Sequence, residues 1–253
     1  MFKIFPAVLT LIFIFAGVLS ASGNSLTVVA AANLSFVIAE LKEDFINLNP
    51  GSEITVITGS SGNFTAQIIA GAPFDIFLSA DREFPEKVRK AGFAANEPVV
   101  YASGRLALFS VKKYDLTNGL SFLKGKDVQR IAIANPAVAP YGRASIESLS
   151  NSGLLADVSN KFVFTENILQ AAQVTLTAAD TGFIALSLVY DPAIKDYNKE
   201  GIYWIEVDPG LYTKIEQSMV ILKHGSGNPL AEKFFNYMLS EGAVRILKKY
   251  GYR

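Results

Sequence analysis

Cysteine is absent from these 253 residues. That excludes a disulfide framework and a cysteine-borne lipid anchor, so the fold rests on its hydrophobic core alone. Histidine occurs once, as His224, which excludes a metal site built from several imidazoles. Tryptophan also occurs once, and Trp204 reads as a core residue. An excess of one charge is missing too: 23 Lys and Arg stand against 23 Asp and Glu, with no basic run. Neither nucleic acid nor an anionic membrane surface is therefore an expected partner. The one long apolar run, at 4–19, contains Pro6 and is shorter than the ~20 residues that span a bilayer. Lys3 precedes it and Ser20-Ala21-Ser22-Gly23 follows it, the parts of a secretory signal peptide over 1–23. We expect cleavage between Ala21 and Asn24, which leaves enough chain for one large or two small domains.

What is there is an alternation. An apolar strand at 25–30 (SLTVVA) leads through Ala31-Ala32-Asn33 into a helix, with Leu34, Phe36, Ile38, Leu41 and Phe45 at helical spacing. After the turn Asn49-Pro50-Gly51, a second strand at 53–58 runs into Gly59-Ser60-Ser61-Gly62-Asn63 and a helix carrying Phe64, Gln67 and Ile68. A third strand at 75–80 (DIFLSA) precedes a helix through Pro85. Near residue 101 the texture changes, because extended runs at 99–101 and 105–111 have no helix between them. A second series then begins: strand 130–134, loop 135–142, a helix from Arg143, strand 162–165, helix 168–178 and strand 182–186. An extended stretch at 202–207, the turn Asp208-Pro209-Gly210, a strand at 217–222 and amphipathic helices at 229–239 and 241–249 close the chain.

Strands alternating with single helices predict α/β lobes, each a mostly parallel sheet flanked by helices. The extended segments near 100–106 and 208–217 would join them. The expected division is lobe I at 24–104 and 216–253, and lobe II at 105–215.

The strand-to-helix loops carry the chemistry. They are Ala30-Ala31-Ala32-Asn33, Gly59-Ser60-Ser61-Gly62, Ala137-Val138-Ala139-Pro140-Tyr141-Gly142 and Thr165-Glu166-Asn167-Ile168. In open α/β sheets, ligands bind beyond the carboxyl ends of the strands, where such loops lie. A helix start presents unpaired N–H groups and the positive end of a dipole. A cleft closing on these loops would surround an anion with N–H, hydroxyl and amide donors. The fully charged residue among them, Glu166, also suits a first helical turn. Taken alone, Asn33 reads as a helix cap, Ser60 as a cap of the following helix, and Tyr141 equally as a cleft wall or a ligand. Arg143 is expected to face solvent or pair with a carboxylate, and Tyr250 and Tyr252 to be packing or surface residues.

At these positions the chain resembles the periplasmic molybdate-binding proteins, the substrate-binding components of ABC transporters. The matching pieces are Val28-Val29-Ala30-Ala31-Ala32-Asn33, the run from Gly59-Ser60-Ser61-Gly62 to Gln67-Ile68, and Ala70-Gly71-Ala72-Pro73-Phe74-Asp75 with the strand after it. Asn135-Pro136 to Tyr141-Gly142, Glu166-Asn167-Ile168 and Gly182 to Ser187 follow in family order. The resemblance implies a two-lobed periplasmic binding protein of type II that closes on molybdate or tungstate, needs no cofactor, acts as a monomer and delivers its cargo to a transporter permease. Carried over, the oxyanion ligands would be Asn33 with the adjacent Ala32 backbone, Ser61, Tyr141 and the Ile168 N–H. Another branch of the family has Ser at position 33 and a Tyr where this chain has Ala185.

Other classes stay open at this stage. A sulfate, phosphate or ferric-ion binding protein is the nearest alternative, since paired tyrosines such as Tyr250 and Tyr252 bind ferric iron in some periplasmic proteins. A secreted serine hydrolase would use Ser60 or Ser61 with His224 as base, although Gly-Ser-Ser-Gly falls one residue short of the nucleophile elbow. A non-binding interaction domain is the third.

Overall fold

The computed structural model describes residues 24–253, and the signal peptide expected at 1–23 lies outside them. The chain opens β1 (Ser25–Ala31), α1 (Val37–Leu48), β2 (Glu53–Gly59), α2 (Ser61–Ile69), β3 (Ile76–Ser79), α3 (Glu83–Lys90) and β4 (Val99–Gly104). It continues through β5 (Leu106–Phe109), β6 (Ile131–Ala134), α4 (Pro140–Asn151), α5 (Leu155–Val158), β7 (Phe162–Thr165), α6 (Ile168–Thr177), β8 (Thr181–Ala185) and β9 (Trp204–Glu206). It ends with β10 (Ile215–Ile221), α7 (Pro229–Met238) and α8 (Glu241–Lys249).

The strands form two five-stranded sheets, ordered β2-β1-β3-β10-β4 and β7-β6-β8-β5-β9. In the first, β1 lies parallel between β2 and β3, while β10 runs antiparallel to β3 and β4. The second repeats the plan, with β6 parallel to β7 and β8, and β5 antiparallel to β8 and β9. Each sheet is thus parallel where helices connect its strands and antiparallel where the chain crosses between lobes. This is the two-lobed type II binding-protein fold. Only Arg105 separates β4 from β5, and it grips Glu206, at the end of β9, through both carboxylate oxygens.

Residue alternation in β1 explains the layering. Leu26, Val28 and Ala30 join Phe45, Phe234 and Met219 on one face, whereas Val29 joins Phe64, Phe77 and Val220 on the other. Both faces are covered, so the strand reads as a continuous apolar run. The second lobe has its own core around Phe109, Ile133, Phe183 and Ile184. Trp204 is buried there, its Nε1 donating to Asn198.

The expected helix start at Leu34 is corrected. A short 3-10 turn covers Ala32–Leu34 and α1 begins at Val37. Two further 3-10 turns, Leu186–Tyr190 and Pro192–Tyr197, carry no hydrophobic period that a sequence reading could detect. Arg253 pairs with Ser103 through backbone bonds of 2.7 and 2.9 Å, bringing the C-terminal residues back onto the edge of β4.

Candidate functional site

The loops after β1, β2, β6 and β7 meet where the two lobes touch. Between them lies a cavity of about 10 Å³, the space of about one water-sized sphere. Ala32 and Asn33 line it from the first loop, Ser60 and Ser61 from the second, Tyr141 from the third, and Asn167 and Ile168 from the fourth. No Lys, Arg, Asp or Glu is among its lining residues.

At α6 the cap isolates one donor. Asn167 Oδ1 accepts from the N–H groups of Leu169 and Gln170 at 3.1 and 3.0 Å, and Asn167 O accepts from Ala171 at 3.1 Å. The Ile168 N–H is the first-turn donor that this capping leaves over. At α4, Pro140 occupies the first turn without an N–H, and Ala139 has no side chain that can cap. Gly142 is required there because a Cβ would lie 2.0 Å from Ala134 O.

At α2 the expectation for Ser60 is corrected. Ser60 holds the N-cap position with extended backbone, yet its hydroxyl makes no cap bond. The Gly62 N–H, which such a cap would satisfy, instead donates to Val138 O of the other lobe at 2.9 Å. Ser60 Oγ is left buried without a partner. Ser61 Oγ accepts the Ala80 N–H at 3.1 Å, so its own hydroxyl hydrogen remains to be donated.

Asn33 is held from behind. Its Nδ2 donates to Gln217 Oε1 at 2.9 Å and to the Tyr252 hydroxyl at 2.7 Å, which uses both amide hydrogens. Its Oδ1 is buried without a partner. Ser187 Oγ donates to Asn33 O at 2.8 Å, a bond between the lobes. Sequence reading gave no site role to Ser187 or Gln217; Tyr252, expected to be a packing or surface residue, does pack in the first lobe's core, and its hydroxyl also bonds Asn33. For Gln217 there was a weak signal: the polar run Glu216-Gln217-Ser218 sits inside a strand that is otherwise apolar, IEQSMVI.

Tyr141 is almost fully buried. Burial pushes its hydroxyl well above the usual tyrosine range, the neighbouring hydroxyls of Tyr252, Tyr212 and Tyr101 add to this, and a hydrogen bond from Gln217 works the other way. The group is a neutral donor at physiological pH. Charged side chains stay at the rim and are paired across the lobes. Arg143 binds both Asp81 and Glu83, and Asn63 Nδ2 donates to Glu166 Oε1 at 2.8 Å. Burial raises the Asp81 pKa, opposed by the Phe84 N–H, Arg143 and Ser79. Lys87 and Arg143 lower that of Glu83.

His224 does not approach the serines. Its Nδ1 lies 2.8 Å from Asp75 Oδ1, and it lines a separate groove with Phe74 and Phe93. Among the described residues, none lining the cavity with Ser60 and Ser61 can act as a base, and the sole histidine is paired with Asp75, so the hydrolase arrangement is not formed.

Residues 26–253 match the family described as bacterial extracellular solute-binding protein. The chain is 35% identical over 241 residues to the molybdate-binding protein ModA of Azotobacter vinelandii, covering 94% of each. It is 34% identical to ModA of Rhodobacter capsulatus, over 92% of this chain and 90% of that one. The solved periplasmic molybdate-binding protein of Azotobacter vinelandii superposes with a TM-score of 0.82, over 90% of this chain and 98% of that one. With its paired sheets, its lobes meeting over a donor-lined cavity and these likenesses, the chain belongs to the bacterial extracellular solute-binding proteins, which bind solutes and are not enzymes.

Proposed function

We propose that this protein captures molybdate, or tungstate, between its lobes in the periplasm and hands it to the permease of an ABC transporter. The observation that carries the reading is the cavity itself: small, lined by neutral donors, and free of carboxylates and cations. As it stands the cavity has the space of about one water-sized sphere, so a tetrahedral oxyanion enters only as the lobes part and settle again around it. The proposed ligand groups are the N–H groups of Ala32, Asn33 and Ile168 and the hydroxyls of Ser61 and Tyr141, joined by the hydroxyl of Ser60. Asn33 serves through its backbone, because its side-chain nitrogen is committed to Gln217 and Tyr252. Hydrogen bonds to a charged acceptor contribute ~1.5–3 kcal/mol each. Half a dozen suffice for roughly micromolar to nanomolar affinity after ordering costs.

Selectivity follows from the donor set. A dianion without protons accepts from every side. Monohydrogen phosphate also needs an acceptor for its own proton, and the unpartnered Asn33 Oδ1 is neutral, a weaker match than a carboxylate. The names of the Azotobacter and Rhodobacter relatives support the same ligand. One chain supplies every loop of the cavity, so a monomer suffices.

A thermal-shift panel of molybdate, tungstate, sulfate, phosphate and ferric citrate tests this. A ligand of the native state at a thousand times its Kd adds about 4 kcal/mol of stability. Molybdate and tungstate are expected to raise Tm strongly. A phosphate or ferric shift as large as the molybdate shift would overturn the assignment.

A further inference from the structure

Gln217 belongs to none of the loops that face the cavity. It is fully buried in β10, between Glu216 and Ser218. The ladder between β10 and β4 shifts register between Gln217 and Ser218, and a bulge of this kind re-aims a side chain. Here the amide reaches toward the supports of several site residues. Its Oε1 accepts from Asn33 Nδ2 at 2.9 Å. Its Nε2 lies 3.5 Å from Ala80 O, and the Ala80 N–H holds Ser61 Oγ. Nε2 and the Tyr141 hydroxyl also crowd together over Gly104, where a Cβ would come within 2.8 Å of the one and 2.1 Å of the other.

The direction of this amide has consequences. A backbone carbonyl only accepts, so Ala80 O keeps Nε2 on its own side and leaves Oε1 toward Asn33. Asn33 must then turn its Nδ2 inward. Tyr141, with an amide donor beside its oxygen, keeps its own hydrogen for another acceptor. The Tyr252 hydroxyl completes the frame, accepting from Asn33 Nδ2 at 2.7 Å and lying 2.9 Å from Asn33 O and 3.2 Å from Ser187 Oγ. Tyr141 and Ser187 come from the second lobe, Asn33, Gln217 and Tyr252 from the first. The frame is whole only when the lobes meet.

We propose that Gln217 is a positioning residue of the anion site: its amide, set by Ala80 O, commits the Asn33 side chain to the frame and frees the Tyr141 hydroxyl to donate to the ligand on closure. This rests on the reading of the cavity as an oxyanion site.

Calorimetric titration of molybdate into wild type, Gln217→Met, Tyr141→Phe and the double variant tests it. Each single variant is expected to lose about ten- to a hundredfold in affinity. The double variant should lose less than the sum of the two, because Gln217→Met removes the donor that orients the Tyr141 hydroxyl and Tyr141→Phe removes that hydroxyl itself, so both act through one ligand bond. Gln217→Glu supplies a readout that packing alone does not move. At pH 7 its carboxylate takes the Tyr141 hydrogen; once protonated it can donate to that oxygen again. Its affinity relative to wild type should therefore rise from pH 7 to pH 5, and Tyr141→Phe in that background should abolish the rise. Losses that add in the double variant, Gln217→Met binding like wild type, or a pH response that survives Tyr141→Phe would each overturn the proposal. Should Gln217→Met fail to fold, the Gln217→Glu series decides alone. Wild type that ignores molybdate would overturn the reading of the site itself.

Discussion

Ser60 and Ser61 stand next to each other and have different jobs. Ser61 Oγ accepts the buried Ala80 N–H, while Ser60 Oγ has no partner. Removing either hydroxyl deletes one donor to a charged ligand, so Ser60→Ala and Ser61→Ala should each weaken molybdate binding about ten- to a hundredfold. Only Ser61→Ala also strands an N–H, which should cost the ligand-free protein about 1–3 kcal/mol. Ser60→Ala should melt like wild type without ligand. Calorimetric titration with melting of both variants checks this; a stability loss confined to Ser60→Ala would restore the helix-cap role that its sequence position suggests. The Gly-Ser-Ser-Gly pattern marked the loop, but not which hydroxyl would be free. Tertiary contacts decided that: Ala80 N–H engages Ser61 Oγ, and Val138 O of the other lobe takes the Gly62 N–H, one of the two a Ser60 cap could use.

At the scale of elements, glycines separate folding from closure. In Gly62 a Cβ would lie 2.7 Å from the Cα of Val138, a residue of the opposite lobe. In Gly142 a Cβ would lie 2.0 Å from Ala134 O within the same lobe. Gly62→Ala should therefore leave the ligand-free melting near wild type, or raise it slightly because Ala favours helix by about 1 kcal/mol. Its molybdate affinity should fall sharply. Gly142→Ala should destabilise the β6–α4 turn and lower Tm with or without ligand. A Gly62→Ala variant that binds molybdate normally would show that the bond to Val138 is not part of the bound form. The helix start at 168 was legible from the cap residue Asn167, whereas α2 and α4 begin at Ser61 and Pro140, inside stretches that read as loops up to Asn63 and Gly142. The 3-10 turn over Ala32–Leu34 was not legible, since its apolar residues fit the period of the helix that follows.

For the whole molecule, the relevant geometry is the pair of crossings between sheets. Loops lining the cavity lie on both sides of them, and bonds such as Gly62 to Val138 and Ser187 to Asn33 O join the lobes directly. Hinge closure is the usual way such proteins enclose a ligand. Small-angle scattering should show the protein contracting on saturation with molybdate, and Gly62→Ala should contract less. An unchanged radius of gyration in wild type would argue for a cavity that fills without lobe movement. Arg143, paired with Asp81 and Glu83 across the rim, adds a charged clasp to the same closed form.

Strand and helix order, the two α/β series and the donor-rich loops were readable in the chain because they rest on local properties. Apolar runs of strand length, turn residues and small residues at helix starts act over a few positions. The absence of cysteine and of clustered histidine narrowed the chemistry before any fold was considered. What the sequence alone did not reach were contacts between residues far apart: Gln217 and Tyr252 behind Asn33, Ser187 from the second lobe on Asn33 O, and His224 against Asp75 rather than beside a serine. An amide or hydroxyl can donate or accept, and which it does depends on the partner that packing brings to it. Those partners lie 149 to 219 residues apart in the cases of Asp75 with His224 and Asn33 with Tyr252, so only the tertiary structure decides them.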